Sequence, residues 1–259
     1  MASTSVRTEA RYSPAFFSDL ADDSYDAARK ILGLAFSVIR PGAVVDIGCG
    51  TGAWLKAAHE LGASRVVGVD GPWIGRSDLL SETIELVTCD MSRETPRLPP
   101  GTYDLAISLE CGEHLPEDRA DTLVDSLCAA SPHVIFGAAT PGQGGTDHVN
   151  EQWQGYWVAK FRERGFLPID LIRPNFLHDA AIATWYRNNP LFYVRQPEYA
   201  RILARLAERP NVSVLTTDFV IPAVFGDPGL RHSIAIARKI PRKLCQAVLW
   251  RLKIRRWSI

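Results

Sequence analysis

One short segment limits the possible folds more than any other. The apolar run Ala43-Val44-Val45-Asp46-Ile47 leads directly into Gly48-Cys49-Gly50-Thr51-Gly52. Five residues are too few for a helix, and their composition suits a buried strand. Alternating glycines let the backbone turn tightly and approach a ligand without Cβ clashes. A helical pattern from Trp54 to Leu61 follows, stopped by Gly62. Backbone N–H groups and a helix N-terminus should therefore face whatever occupies the bend. The unit recurs in outline. Further strands are predicted at Arg65–Asp70, Ile84–Asp90, Tyr103–Leu109 and His133–Gly137, and helices at Pro116–Ala130 and Glu151–Gly165. Ahead of them, residues from Phe16 to Val38 read as helix, with Ser24 as N-cap and Arg40-Pro41-Gly42 as terminator. Short apolar strands alternating with helices predict an α/β domain built on a parallel sheet. Its chemistry is expected in the loops beyond the strands' carboxyl ends.

Four of those loops carry candidate functional residues. In the first, Gly48, Gly50 and Ala53 also satisfy the dinucleotide pattern G-x-G-x-x-A. Asp46 separates the two readings, because a carboxylate there repels a pyrophosphate and pairs with the ammonium of S-adenosylmethionine (SAM). Asp70 ends the next strand and can accept from both ribose hydroxyls, with Gly71 and Trp73 beside it. A strand-end turn aspartate would look the same. Asp90 and Met91 follow the third strand, where a carboxylate can accept from the adenine amine; an aspartate capping a helix is the competing reading. After the fourth strand, Glu110, Glu113 and His114 fall within five residues, and a later glycine-rich loop adds His148. Carboxylates and imidazoles so grouped can act as a general base or hold a divalent ion.

Taken in order, Asp46-Ile-Gly-Cys-Gly-Thr-Gly52, Asp70, Asp90 and the run from Asp104 to Pro116 resemble the class I SAM-dependent methyltransferases. That resemblance implies a Rossmann-like, mainly parallel seven-stranded sheet with helices on both faces, and SAM as cofactor. It places Asp46, Gly48, Gly50, Gly52, Asp70, Gly71, Asp90, Met91 and Glu110 around the cofactor. A narrower similarity spans about residues 12–194. It rests on Phe16-Phe17-x-x-Leu20, Val69-Asp-Gly-x-Trp73, Trp185-Tyr-Arg-x-Asn189 and Pro141-Gly-Gln-Gly-Gly-Thr-x-His-Val-Asn-Glu-Gln-Trp153. These are similar to a bacterial subfamily associated with glycan and natural-product biosynthesis. Asp147 stands where that subfamily leads one to expect glycine. The Glu110-x-x-Glu113-His114 cluster with His148 also resembles the metal site of small-RNA 3′-terminal 2′-O-methyltransferases. On that likeness Glu110, Glu113, His114 and His148 would ligate Mg²⁺ or another divalent cation.

The expected division is a helical lid over 1–40, a SAM-binding domain over 41–195 and an extension over 196–259 with a basic helical tail. The expected function is O-methylation of a small acceptor, with His114 or His148 as base and Glu113 orienting it. Trp153, Tyr156, Trp157, Trp185 and Tyr186 are candidates for the acceptor wall, or for the core. The competing functions are methylation of an RNA end, a non-catalytic SAM-binding protein and a nicotinamide oxidoreductase. Charge weighs against nucleic acid. Residues 228–259 carry nine Lys/Arg and no Asp/Glu, leaving 20 basic against 29 acidic residues before them, a net of −9. An acidic body does not attract a phosphate backbone. The tail alone suits an anionic surface, so peripheral contact with the inner membrane face is a further expectation. Five cysteines without a C-x-x-C suggest neither a disulfide framework nor a zinc site, which fits a reducing cytoplasm. The first residues lack the apolar run of a signal peptide, and no stretch is apolar over about 20 residues.

Overall fold

The structure, a computed structural model, describes residues 14–209 and 211–214, with side chains from Ser24 onward. The side chains of Phe16 and Phe17, on which the expected lid contacts depend, and the basic tail lie outside what is described. Seven strands form one sheet: β1 (Ala43–Ile47), β2 (Arg65–Asp70), β3 (Ile84–Thr88), β4 (Leu105–Leu109), β5 (His133–Gly137), β6 (Phe166–Ile169) and β7 (Leu191–Arg195). Their order across the sheet is β3-β2-β1-β4-β5-β7-β6. β7 runs antiparallel to both its neighbours, and the remaining pairings are parallel. The strand order reverses between β1 and β4, which pair through Val44–Leu105, Val45–Ala106 and Asp46–Ile107. Loops leaving adjacent strands there go to opposite faces and open a crevice. Asp104 fixes the other end of this pair, its Oδ2 accepting from the N–H groups of Gly42 and Ala43 at 2.8 and 2.9 Å.

Alternating strand residues feed two separate cores, as a sheet covered on both faces requires. Val44, Val66, Leu105, Ile107, Ile135, Phe192 and Val194 pack against α1 (Pro14–Ile39), α2 (Ala53–Glu60) and α7 (Gln196–Ala207). Val45, Val67, Val69, Ala106, Phe136 and Tyr193 pack against α3 (Ala120–Ala130) and α4 (Gln154–Glu163). In α1 the buried positions Ala27, Ala28, Ile31, Leu32, Ala35 and Val38 recur at helical spacing. Two short helices, α5 (Arg173–Phe176) and α6 (Thr184–Asn188), lie between β6 and β7.

Several sequence expectations are corrected. Ser24 is not an N-cap: the helix begins at Pro14, and the Ser24 hydroxyl is buried against Tyr186 Oη at 2.8 Å. β3 ends at Thr88 rather than Asp90. Pro116 opens a 3₁₀ turn over Glu117–Arg119 before α3 begins. α4 starts at Gln154 and not Glu151. Trp157, weighed as an acceptor-pocket wall or a core residue, is core, and so is Phe161. Trp157 lies 4.8 Å from the Phe136 ring, and Phe161 stacks on Tyr193 at 3.9 Å. Phe161 is fully buried between α4 and the sheet. Phe161→Ala should cost about 3–5 kcal/mol of stability, read from urea unfolding. A loss under about 1 kcal/mol would contradict this packing.

Candidate functional site

The bend after β1 lies on one side of the crevice. Gly48 and Cys49 both donate their N–H to the Val69 carbonyl, at 2.8 and 3.1 Å, which locks the bend onto the end of β2. Gly48 has φ +82°, and a Cβ there would lie 2.4 Å from Cys111 Sγ. No other residue type fits that position. Gly50 donates to Asp70 Oδ2 at 2.7 Å. The other oxygen of Asp70 accepts from Gly71 N–H at 2.7 Å and from Trp73 Nε1–H at 2.9 Å. The Trp73 ring lies directly over Gly71, where a Cβ would come within 2.1 Å of it. Burial holds the Asp70 carboxyl above its ordinary range despite these three donors.

Asp46 is the electrostatic centre of this side. It is 2% exposed, and its carboxylate has no hydrogen bond or ion pair with another described residue. Burial pushes its carboxyl well above the usual carboxylate range, and the charge of Asp70 pushes it further. Asp90 is engaged in its own turn, its Oδ1 accepting from Ser92 N–H at 3.0 Å and Ser92 Oγ–H at 2.6 Å. Met91 is buried beside it, and its carbonyl accepts from Arg119 Nε at 2.9 Å.

The opposite side is built by the chain leaving β4. Glu110 takes the left-handed conformation, φ +51°, and a 3₁₀ turn over Gly112–His114 follows. Glu113 is fully buried, and neither carboxylate oxygen has a partner among the described residues. Burial raises its carboxyl well above the ordinary range, and the neighbouring Glu110 adds to the shift. The Glu113 carbonyl accepts from Val149 and Asn150 N–H at 2.8 and 3.0 Å. That stitch brings the loop after β5 onto the loop after β4 and sets His148 against His114. The two rings meet edge to face, centroids 4.9 Å apart at 84°. One donor atom each from Glu113, His114 and His148 falls within 4.8 Å of the others. Burial, then the adjacent His148, lowers the His114 pKa.

Of the four residues expected to share a metal, the structure brings these three together and directs Glu110 elsewhere. Glu110 Oε2 accepts from Gln143 Nε2 at 2.6 Å and Oε1 from Asn189 Nδ2 at 2.8 Å. Asn189 also donates to Gln143 Oε1 at 2.9 Å, closing a triangle of three loops. The departure at Asp147 has a plain cause: its φ is +59°, a region glycine favours and aspartate tolerates. Sequence reasoning did not assign roles to Gln143, Glu151 and Asn189. Asn189 stands 79 positions from Glu110, and only the pairing of β5, β7 and β6 delivers it.

Residues 20–189 match the family model described as a methyltransferase domain. A search of curated proteins gives no match. Among solved structures, the chain is similar to one from the complex of the Haloferax volcanii Trm112 methyltransferase activator with a methyltransferase. Identity is 16% and the TM-score 0.51, over 70% of this chain and 96% of that one. It is also similar to an O-methyltransferase family protein from Burkholderia thailandensis, at 12% identity and TM-score 0.51, over 70% of this chain and 58% of that one. A Mesorhizobium loti SAM-dependent methyltransferase is 19% identical, with TM-score 0.47, over 66% of this chain and all of its own. The seven-stranded sheet is the Rossmann-like fold of class I methyltransferases.

The buried, unpartnered Glu113 carboxylate has a measurable consequence. Its folded-state pKa is raised above an unfolded value of about 4.3. Its penalty is therefore absent at lower pH and complete once pH exceeds the folded value, so stability falls as pH rises through that window. In chelator-treated protein, Glu113→Gln should melt close to wild type near pH 4.5. It should melt about 3 °C or more higher at pH 8. A gain that does not depend on pH would contradict an uncompensated charge.

Proposed function

The chain belongs to the methyltransferase-domain family, and from that premise we propose that it carries the methyl group of SAM to an oxygen of a small acceptor, such as a sugar or a natural-product intermediate. The family implies SAM as cofactor, and the residues present fit it. Asp46 is a buried carboxylate without a counterion, next to the glycine bend that follows β1. An ammonium supplies what that position lacks. A pyrophosphate would add negative charge beside Asp46 and Asp70, two carboxyls already raised by burial. This favours SAM over a nicotinamide dinucleotide. In this reading Gly48, Gly50, Gly52 and Asp46 hold the methionine end, Asp70 and Gly71 the ribose, and Asp90 and Met91 the adenine. Glu110 closes the crevice from the β4 side. When bound, SAM supplies a methyl group activated on a sulfonium.

The single observation that carries the acceptor side is the convergence of Glu113, His114 and His148 beyond β4, at the same crevice. A hydroxyl acceptor must lose a proton as it is methylated. His148 or His114 as the neutral imidazole takes it near pH 7, and the Glu113 carboxylate offsets the positive charge that results. One carboxylate and two imidazoles also suit a divalent cation, which would hold substrate oxygens and lower the hydroxyl pKa. Glu110 joins such a set only by releasing Gln143 and Asn189. Positioning of the acceptor supplies much of the rate gain in a direct displacement. The net charge of −9 over residues 1–227 favours a small acceptor over an RNA end. No described helix is long and apolar enough to cross a membrane. The basic tail is the segment that would hold the enzyme at an anionic surface.

Two binding experiments test this reading. By titration calorimetry, Asp46→Asn should weaken SAM about 30-fold or more, the loss of one buried charge pair. His148→Ala should leave SAM affinity within about twofold of wild type. Equal losses in both variants would place His148 in the cofactor site instead. For the metal, Mn²⁺ titration followed by electron paramagnetic resonance should show one site in wild type, weakened about tenfold or more in Glu113→Gln and His148→Ala. Unchanged uptake in both would remove the ion from the trio.

A further inference from the structure

The loop between β5 and α4 folds around one carboxylate. Glu151 Oε2 accepts from Gly142 N–H at 2.9 Å. Its Oε1 accepts from Gly144 N–H at 2.9 Å and lies 2.9 Å from His148 Nδ1. An ionised carboxylate has only lone pairs to offer, so the ring nitrogen facing it must carry the hydrogen. Each Glu151 oxygen already accepts a backbone N–H, an arrangement that favours the carboxylate over the acid. Neutral His148 is then the Nδ1–H tautomer, with the lone pair on Nε2.

The other edge of the ring is defined as closely. A Cβ on Gly145 would lie 2.3 Å from His148 Nε2 and 2.4 Å from Cε1. The ring is therefore held between the Glu151 carboxylate and the bare backbone of Gly145, and any side chain at 145 would occupy the edge that carries the lone pair.

We propose that Glu151 is the positioning residue of this site: it fixes His148 as the Nδ1–H tautomer and leaves Nε2 as its basic atom, while Gly145 keeps the Nε2 edge clear. Its functional importance rests on the reading of Glu113, His114 and His148 as the acceptor side. The tautomer itself does not rest on that reading. Partners that orient a ligating or basic imidazole typically contribute 10–100-fold in metal affinity or activity.

Long-range ¹H–¹⁵N spectra of the imidazoles in ¹⁵N-labelled protein at pH 7.5 test this directly. Wild type should show His148 protonated at Nδ1. Glu151→Gln and Glu151→Ala should shift it toward the Nε2–H form, and Gly145→Ala should move its signals as the ring is displaced. His133, whose Nδ1 lies 2.9 Å from the Asp104 carbonyl at the far end of β5, should keep its signals and so reports that the variants are folded. Mn²⁺ affinity should fall about tenfold or more in both Glu151 variants. An Nε2–H tautomer in wild type, or an unchanged Nδ1–H tautomer in folded Glu151→Ala, would overturn the assignment of Glu151. Absent Mn²⁺ uptake by wild type would instead sink the metal reading of the trio, and the tautomer would still decide the role of Glu151.

Discussion

Two carboxylates, Asp46 and Glu113, are buried on either side of one crevice without a compensating positive charge among the described residues. Isolated buried carboxylates are among the least favourable arrangements a folded chain can contain. Their persistence needs a scaffold that holds them in place regardless. β1 supplies it for Asp46, flanked by β2 and β4 and covered on both faces. For Glu113 the scaffold is the turn after β4, stitched through its own carbonyl to Val149 and Asn150. Each carboxylate marks a place where the protein is incomplete by itself, and an ammonium on one side and a cation or protonated imidazole on the other would complete it.

The sheet order turns these separate devices into one site. Because the strand order reverses between β1 and β4, the glycine bend and the Glu113–His114 turn leave neighbouring strands at the same edge. The β5–α4 loop then adds His148, and the segment before β7 adds Asn189, which meets Glu110 and Gln143. In the proposed reading, cofactor chemistry gathers on the β1–β2 side and proton or metal chemistry on the β4–β5 side. The acceptor's place is where the two meet. Trp73 is part of the first group: its indole donates to Asp70 Oδ1.

Much of this was readable in the residues. β1, β2 and β5 end where their apolar runs end, and the loops after β1, β2 and β4 contain the residues their spacing suggested. What was hidden depended on contacts between distant segments. β6 is four residues long with Pro168 inside it, so no strand pattern shows. The Leu191-Phe-Tyr-Val194 run after Pro190 was not read as a strand from the sequence, and its antiparallel direction shows only in its pairing with β5 and β6. Glu110 matched a metal-ligand pattern by spacing, yet the left-handed turn at that residue points its carboxylate to two amides. The orienting role of Glu151 is invisible in sequence, because a helical pattern absorbs it.

The central claim is that the Asp46 side of the crevice receives an adenosyl sulfonium compound and the His148 side receives its acceptor. A crystal structure of the protein with the demethylated product, S-adenosylhomocysteine, tests it most directly. The account predicts the ligand in the bend after β1, its amino group paired with Asp46 and its sulfur directed toward the Glu113–His114–His148 side. A ligand bound elsewhere, or a bend left empty at millimolar concentration, would contradict it.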